Sequence, residues 1–349
     1  MQTLLILLLI FTPIAGAGAL LGFSPTALFF LSALAIIPLA KFIGDATEEL
    51  AARTGPALGG LLNATFGNAT ELLIGVFAIR AGLIEVVKAS LTGSIVGNLL
   101  LVLGTAMFAG GTRHKTQTFN RVAAHANAST LLLAIIALVI PAILYQTAPA
   151  MHAETTIEEL SLAVSALMIL IYVAGLWFAL RTHSHFYAAD TDKNPPKWSL
   201  AKSVTVLLIA TGAVAAMSEI LVRSIEPVAV GFGWTQLFIG VVVVAVVGNA
   251  AEHTSAIVMA IKNQMDLSLQ ISIGSATQIA IFVAPVLVLV SAGFATPMSL
   301  VFNTFEIVAI ILSVLIVNQV VGDGESNWFE GLQLLVAYAI IATAFFLHN

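Results

Sequence analysis

The chain has 349 residues, of which 59% are hydrophobic and 9% charged, with a mean hydropathy of +1.04 and a formal charge of −5. So few charged side chains cannot cover water-facing domains of this length, and the apolar runs repeatedly reach the ~20 residues that cross a bilayer. A soluble fold is excluded, and the expected class is an all-α polytopic membrane protein.

Apolar runs between turn and charge clusters predict eleven transmembrane helices, near 3–22, 25–46, 57–80, 84–109, 121–145, 158–181, 200–223, 235–262, 266–292, 297–318 and 327–347. These runs are too long and continuous for the ~10-residue alternating strands of a membrane barrel. The first, "MQTLLILLLIFTPIAGAGA", has the apolar core and small residues of a cleavable signal, but no Lys or Arg precedes Lys41. Without a positive leading region it reads as a retained span. Thr47-Glu48 closes the second span, and the third carries "GNATELLIG" from Gly67 to Gly75. "GSIVGNLLLVLG" follows in the fourth. After the sixth span comes the longest polar connection, "RTHSHFYAADTDKNPPKW", from Arg181 to Trp198. Ser218-Glu219 lies near the end of the seventh span, "GNAAEHTSA" in the eighth and "GSATQI" in the ninth.

The basic residues orient these spans. If loops after even-numbered spans share the side of the N-terminus, that side collects ten Lys and Arg and the other three, namely Arg80, Lys88 and Arg223. The positive-inside rule then predicts a cytoplasmic N-terminus, an external C-terminus and a cytoplasmic Arg181–Trp198 connection.

A shift of 181 positions pairs "GNATE" (67–71) with "GNAAE" (248–252), and Gly93-Ser94 with Gly274-Ser275, without a gap. Only seven of 38 positions match between 67–104 and 248–285, but the matches are concentrated in the polar and glycine positions, where apolar bias cannot produce them. Five spans per copy is an odd number, so the second copy enters the membrane from the opposite face. The expected organisation is an N-terminal span (1–24), a five-helix repeat (25–181), a linker (182–199) and an inverted five-helix repeat (200–349). Inverted repeats of this kind typify secondary transporters, with the substrate site at the midplane where the copies meet.

Asn and Glu three apart share a helix face, so Asn68 with Glu71, and Asn249 with Glu252, each form a polar pair. Charged side chains at membrane depth cost ~2.5–3.5 kcal/mol or more, so these acids must be paired, protonated or bound to a cation. The glycine of each frame permits a kink or break. Ser94 and Asn98 on the fourth span, and Ser275 and Gln278 on the ninth, add neutral oxygens. The chain has no cysteine, which removes disulfides and thiolate metal sites. An all-oxygen set suits a hard cation such as Ca²⁺, which takes about 6–8 oxygens. Ser, Asn and Gln also serve as glue between membrane helices, the competing reading for the neutral four.

These motifs, over essentially the whole chain, resemble the two signature repeats of calcium/proton exchangers, in the cation/calcium exchanger superfamily. The resemblance implies one span plus two inverted five-helix repeats, with Glu71 and Glu252 as the carboxylates that bind Ca²⁺ and protons. Asn68, Asn249, Ser94, Asn98, Ser275 and Gln278 would lie in or beside the site. Eukaryotic members often carry a strongly acidic segment between the halves; here that loop offers only Asp190 and Asp192, so a calcium-sensing acidic helix is not expected there. His183 and His185 read as ordinary loop residues.

Charge balance suggests the mechanism. Both acids would be ionised around the dication, and protonated without it, so that either loaded form is near neutral while the empty, doubly charged form is penalised. Spans 2 and 7 would slide against a fixed core, and Glu48 and Glu219 are candidates for a gate or access route. A sodium/calcium exchanger or a broader Mn²⁺/H⁺ antiporter would share the fold. A channel would conduct without proton countertransport, and an intramembrane metalloprotease lacks its H-E-x-x-H pattern. The expected partners are Ca²⁺, H⁺ and membrane lipid, not nucleic acid, with room for a homo-oligomer. No resident cofactor or enzymatic activity is expected, and the expected location is the inner membrane of a prokaryote.

Overall fold

The computed structural model describes residues 2–148, 154–182 and 196–347, so most of the Arg181–Trp198 connection, with His183 and His185, lies outside the described residues. Thirteen helices are described here in chain order. The apolar N-terminus forms α1 (Gln2–Leu8) and α2 (Phe11–Leu21), and α2 stops at Gly22 in the left-handed conformation that glycine adopts without strain. There follow α3 (Pro25–Phe66), α4 (Ala69–Arg80), α5 (Ile84–His114), α6 (Arg121–Thr147) and α7 (Glu154–Trp177). The second half comprises α8 (Leu200–Phe232), α9 (Gln236–Gly248), α10 (Ala250–Ile261), α11 (Met265–Ser291), α12 (Thr304–Val320) and α13 (Trp328–Leu347).

Among the described residues, seven helices are long and apolar enough to cross a membrane, and α9 with α10 makes an eighth if that pair, bent by 62°, is one span. Leu5–Leu21 and Thr304–Val320 are shorter apolar helices. The expected span at 57–80 is divided between the end of α3 and α4, because the helix breaks before Ala69.

Several boundaries differ from the sequence expectation: the seventh span, expected at 200–223, runs on to Phe232, and the tenth, expected at 297–318, begins at Thr304. Residues 47–56 were expected to separate two spans; they are themselves helical, within the helix assigned over Pro25–Phe66, but the membrane-length stretch ends among them, at Thr54. The stretch Thr47–Arg53 is mostly Glu, Leu, Ala and Arg, all strong helix formers, so its charges do not interrupt the ladder. The chain still changes direction: a Cβ on Gly59 would meet the Ala51 carbonyl oxygen at 2.8 Å. Residues eight apart in a straight helix are separated by ~12 Å, so the chain folds back between them.

The core lies where the halves meet. The long helix α5 is 89% buried over its most apolar stretch, against 17% for α13, so α5 is central and α13 peripheral. α5 packs on α9, α10 and α13, while α3 runs along α8. Gly93 and Gly240 bring α5 and α9 to backbone contact: a Cβ on Gly93 would collide with the Val241 backbone, and one on Gly240 would come 2.5 Å from Ala89 Cβ. Small residues let membrane helices approach this closely. Outward faces carry Leu170, Leu208 and Ile340, each about two-thirds exposed, as a lipid-facing surface requires.

No strand crosses the membrane among the described residues, but two short ones occur in loops. β1 (Thr116–Thr118) pairs antiparallel with β2 (Glu325–Asn327). The inward-facing Gln117 of β1 donates to the Ala260 carbonyl and to Asn263 Oδ1, both at 2.9 Å, fastening this ribbon to the turn between α10 and α11.

Candidate functional site

Both Gly-Asn-x-x-Glu frames break their helices. Asn68 caps α4 with φ −102° and ψ 19°, and Asn249 caps α10 with φ −96° and ψ 13°. The two asparagines therefore have nearly the same non-helical backbone, and Glu71 and Glu252 each fall in the first turn of the helix that follows. That position favours an anion, since the unpaired N–H groups of the first turn give it partial positive charge.

The neutral residues close a network between the halves. Asn98 donates its side-chain amide to Asn249 Oδ1 at 3.1 Å and to Ser275 Oγ at 3.0 Å. Asn249 in turn donates to Ser94 Oγ at 2.8 Å and to the Ala245 carbonyl at 2.9 Å. At one edge Asn68 donates to Gln278 Oε1 at 2.8 Å. Thus six of the neutral residues expected from sequence meet in two clusters, and every side-chain pair among them joins a residue before 100 to one after 245. π-Helical turns follow at Gly97–Val102 in α5 and Ile279–Val283 in α11, widening both helices beside the network.

The two acids stand in different surroundings. Glu252 lines a cavity of about 360 Å³ whose wall also includes Lys41, Glu48, Asn68, Thr70, Ser255, Gln270, Ser275 and Gln278. Glu71 is buried and lines a separate space of about 10 Å³, together with Ser90 and Ser94, large enough for about one water. Glu71 reaches toward the second half, because a Cβ on Gly248 would stand 3.4 Å from its Oε1. It lies within the electrostatic reach of Glu252.

Satisfaction of the polar atoms is incomplete. Among the described residues, Glu71 Oε2 and Asn98 Oδ1 are buried without a hydrogen-bond donor. A buried acceptor left unmet costs ~1–3 kcal/mol, and more for a charged group. Both atoms are oxygens, so they fit a proton or a hard cation and offer nothing to an anion. No group of three or more His, Asp or Glu able to hold a metal occurs among the described residues, so a cation here would combine two acids with amide and hydroxyl oxygens.

The two gate candidates separate. Glu48 lies on the cavity wall. Glu219 is 43% exposed and paired with Arg223 at 2.5 Å, away from that cavity. Lys41, Thr70, Ser255 and Gln270 were not singled out from sequence. Two carried a signal: Ser255 is one turn beyond Glu252, and Gln270 shares the four-residue spacing of Gly274 and Gln278. Glu306 is also buried, but it closes a capping box with Asn303 and accepts from Thr92 at 3.4 Å, which gives it a local structural role.

Helices of this length and apolarity around a buried cluster of carboxylate, amide and hydroxyl groups define a polytopic helical membrane protein. The chain belongs to the sodium/calcium exchanger protein family, which it matches over residues 24–181 and 202–347. It is similar to a Ca²⁺/H⁺ antiporter of Synechocystis sp., with 47% identity over 361 residues, 98% of this chain and 97% of that one. It is also similar to the Ca²⁺/H⁺ antiporter ChaA of Bacillus subtilis, 49% identical over 341 residues and covering 96% of each. Among solved structures, native YfkE superposes with a TM-score of 0.87 at 45% identity over 98% of both chains.

Proposed function

We propose that this chain exchanges Ca²⁺ for H⁺ across a membrane, with Glu71 and Glu252 binding Ca²⁺ or protons in turn. The observation that carries the reading is the pair of buried acceptors without donors, Glu71 Oε2 and Asn98 Oδ1, beside a network that joins the two halves. The family and the named activity of the full-length relatives favour the same reading. Asn68, Asn249, Ser94, Asn98, Ser275 and Gln278 then supply neutral oxygens or orient those that do. Ca²⁺ and H⁺ are cargo, and the cycle uses no resident cofactor.

The proposed architecture is one N-terminal span and two inverted five-helix repeats, 25–181 and 200–349, joined by a linker at 182–199. Three observations support it: the matching backbone at Asn68 and Asn249, the acid three residues after each, and the π-turns at 97–102 and 279–283. All are related by the same shift of 181 positions, to within one residue. The N-terminus is assigned to the cytoplasm, the C-terminus to the exterior, and the protein to the inner membrane of a prokaryote.

Exchange follows from electrostatics in this scheme. A dication between two carboxylates is neutralised, and so are two carboxylates that have taken up protons. The empty dianion is disfavoured at membrane depth, which suppresses return without cargo. α3 and α8, packed along each other, would move against the core to open the site alternately. Glu48 would guide cations at the cytoplasmic mouth.

The test is Ca²⁺ uptake by inside-out vesicles bearing a proton gradient, with and without a protonophore. Uptake that collapses with the gradient is expected, and uptake that ignores it overturns the reading. Repeating the assay with Na⁺ or Mn²⁺ separates sodium/calcium exchange and broader divalent/H⁺ exchange.

A further inference from the structure

The cavity that reaches Glu252 contains a cation of the protein's own. Along α3 the wall includes Ala40 together with Lys41, Gly44 and Glu48, the last three spaced three and four residues apart on one helix face. Seven residues correspond to ~10 Å of helix rise, so Lys41 and Glu48 occupy different depths. Three charged side chains line the wall among the described residues: Glu48, Glu252 and Lys41, of which Lys41 alone is positive. Its ammonium is paired with Asp45, one turn on, which does not itself line the cavity. The Lys41 side chain is 29% exposed, so it is neither sealed in the core nor free in bulk water. Glu252 lies within the electrostatic reach of this ammonium.

A lysine inside a membrane-length helix is costly unless it has a partner, and Asp45 alone would satisfy it. An Asp45 partner does not account for its place on the cavity wall, facing the route to Glu252. A positive charge there opposes an arriving dication and compensates the Glu252 carboxylate once the dication has gone.

Resting on the Ca²⁺/H⁺ antiporter reading, we propose that Lys41 is a tethered counter-cation of the cavity, which offsets Glu252 in the empty site and so weakens Ca²⁺ binding from that side. Lys41 is then a positioning residue for release. It does not bind the ion, and its effect is confined to the cavity-facing half of the cycle. Asp45 tunes it by holding the ammonium along α3.

The experiment measures half-saturating Ca²⁺ from each side, in inside-out and right-side-out vesicles, for wild type, Lys41→Gln, Lys41→Arg and Asp45→Asn. Lys41→Gln is expected to lower half-saturation on the cavity side by about fivefold, the order expected when one unit charge near a dication is removed. The opposite side is expected to be unchanged, and Lys41→Arg to match wild type. Asp45→Asn releases the ammonium toward Glu252 and is expected to raise half-saturation, so it decides the matter if Lys41→Gln fails to assemble. Unchanged half-saturation in the charge-altering variants, or lost turnover with no change in half-saturation, overturns the proposal. Equilibrium Ca²⁺ titration of detergent-solubilised protein separates the two readings. Wild type that binds Ca²⁺ without exchanging it removes the antiporter reading, and the affinity ratio of Lys41→Gln to wild type then decides the role of Lys41.

Discussion

Asn98 donates its side-chain amide to Asn249 across the junction of the two halves, at 3.1 Å, while its own Oδ1 stays buried with no donor. One residue thus fixes its neighbour and leaves an oxygen directed at nothing the protein supplies. Around it, α5 and α11 each widen into a π-turn, and α4 and α10 each begin at a capping asparagine.

Glu71→Gln and Glu252→Gln are each expected to reduce Ca²⁺-driven proton movement to background while leaving the fold intact. The amide keeps the shape but removes the negative charge that a dication requires. Vesicle transport with a pH-sensitive dye checks this, with gel filtration in detergent as the folding control. Persistent exchange in either variant sinks the assigned role.

Ca²⁺ is expected to raise the melting temperature of the wild type in detergent but not that of the Glu71→Gln/Glu252→Gln double variant. A ligand at one hundred times its dissociation constant stabilises by ~2.7 kcal/mol, which is readily visible in a thermal scan. Equal Ca²⁺-induced shifts in both proteins would place the binding site elsewhere.

Asn249→Leu is expected to destabilise by about 1–3 kcal/mol for each buried partner left unmet, and it strips partners from Ser94 and Asn98. Asn249→Asp keeps the acceptor for Asn98 but loses the donor to Ser94. Denaturation in detergent should therefore rank wild type above Asp and Asp above Leu only if the added charge is met by bound Ca²⁺. The ranking is measured with Ca²⁺ and with chelator.

Gly93 and Gly274 are expected to respond differently to a side chain although they are counterparts in the two halves. A Cβ on Gly93 runs into the Val241 backbone, whereas Gly274 lines the open cavity with nothing within 4 Å. Gly93→Val should lower thermal stability by about 1–3 kcal/mol through overpacking, and Gly274→Ala should leave it near wild type. Differential scanning fluorimetry in detergent gives the comparison.

The absence of native cysteine makes accessibility mapping direct. Cysteines introduced at Ser255 and Gln270 are expected to react with a membrane-impermeant thiol reagent from the Glu48 side, and one at Glu219 from the other. Labelling of Ser255→Cys and Glu219→Cys from the same side would contradict the assigned orientation.

Much of this was legible in the chain. The scarcity of charge dictated a membrane protein, and the duplicated Gly-Asn-x-x-Glu frames marked both helix breaks, because the glycine of each frame permits the chain to leave the helix. The six neutral partners followed from helical spacing. Tertiary structure decided the rest. Glu71 and Glu252 sit in the same frame by sequence, yet one is enclosed and the other lines a cavity, because α5 is packed hard against α9 at Gly93 while α11 stands open at Gly274. Lys41 counted only toward topology until α3 was placed opposite α10. Helical periodicity tells which residues share a face of one helix; which helix that face meets is set by packing between segments 151 to 210 residues apart.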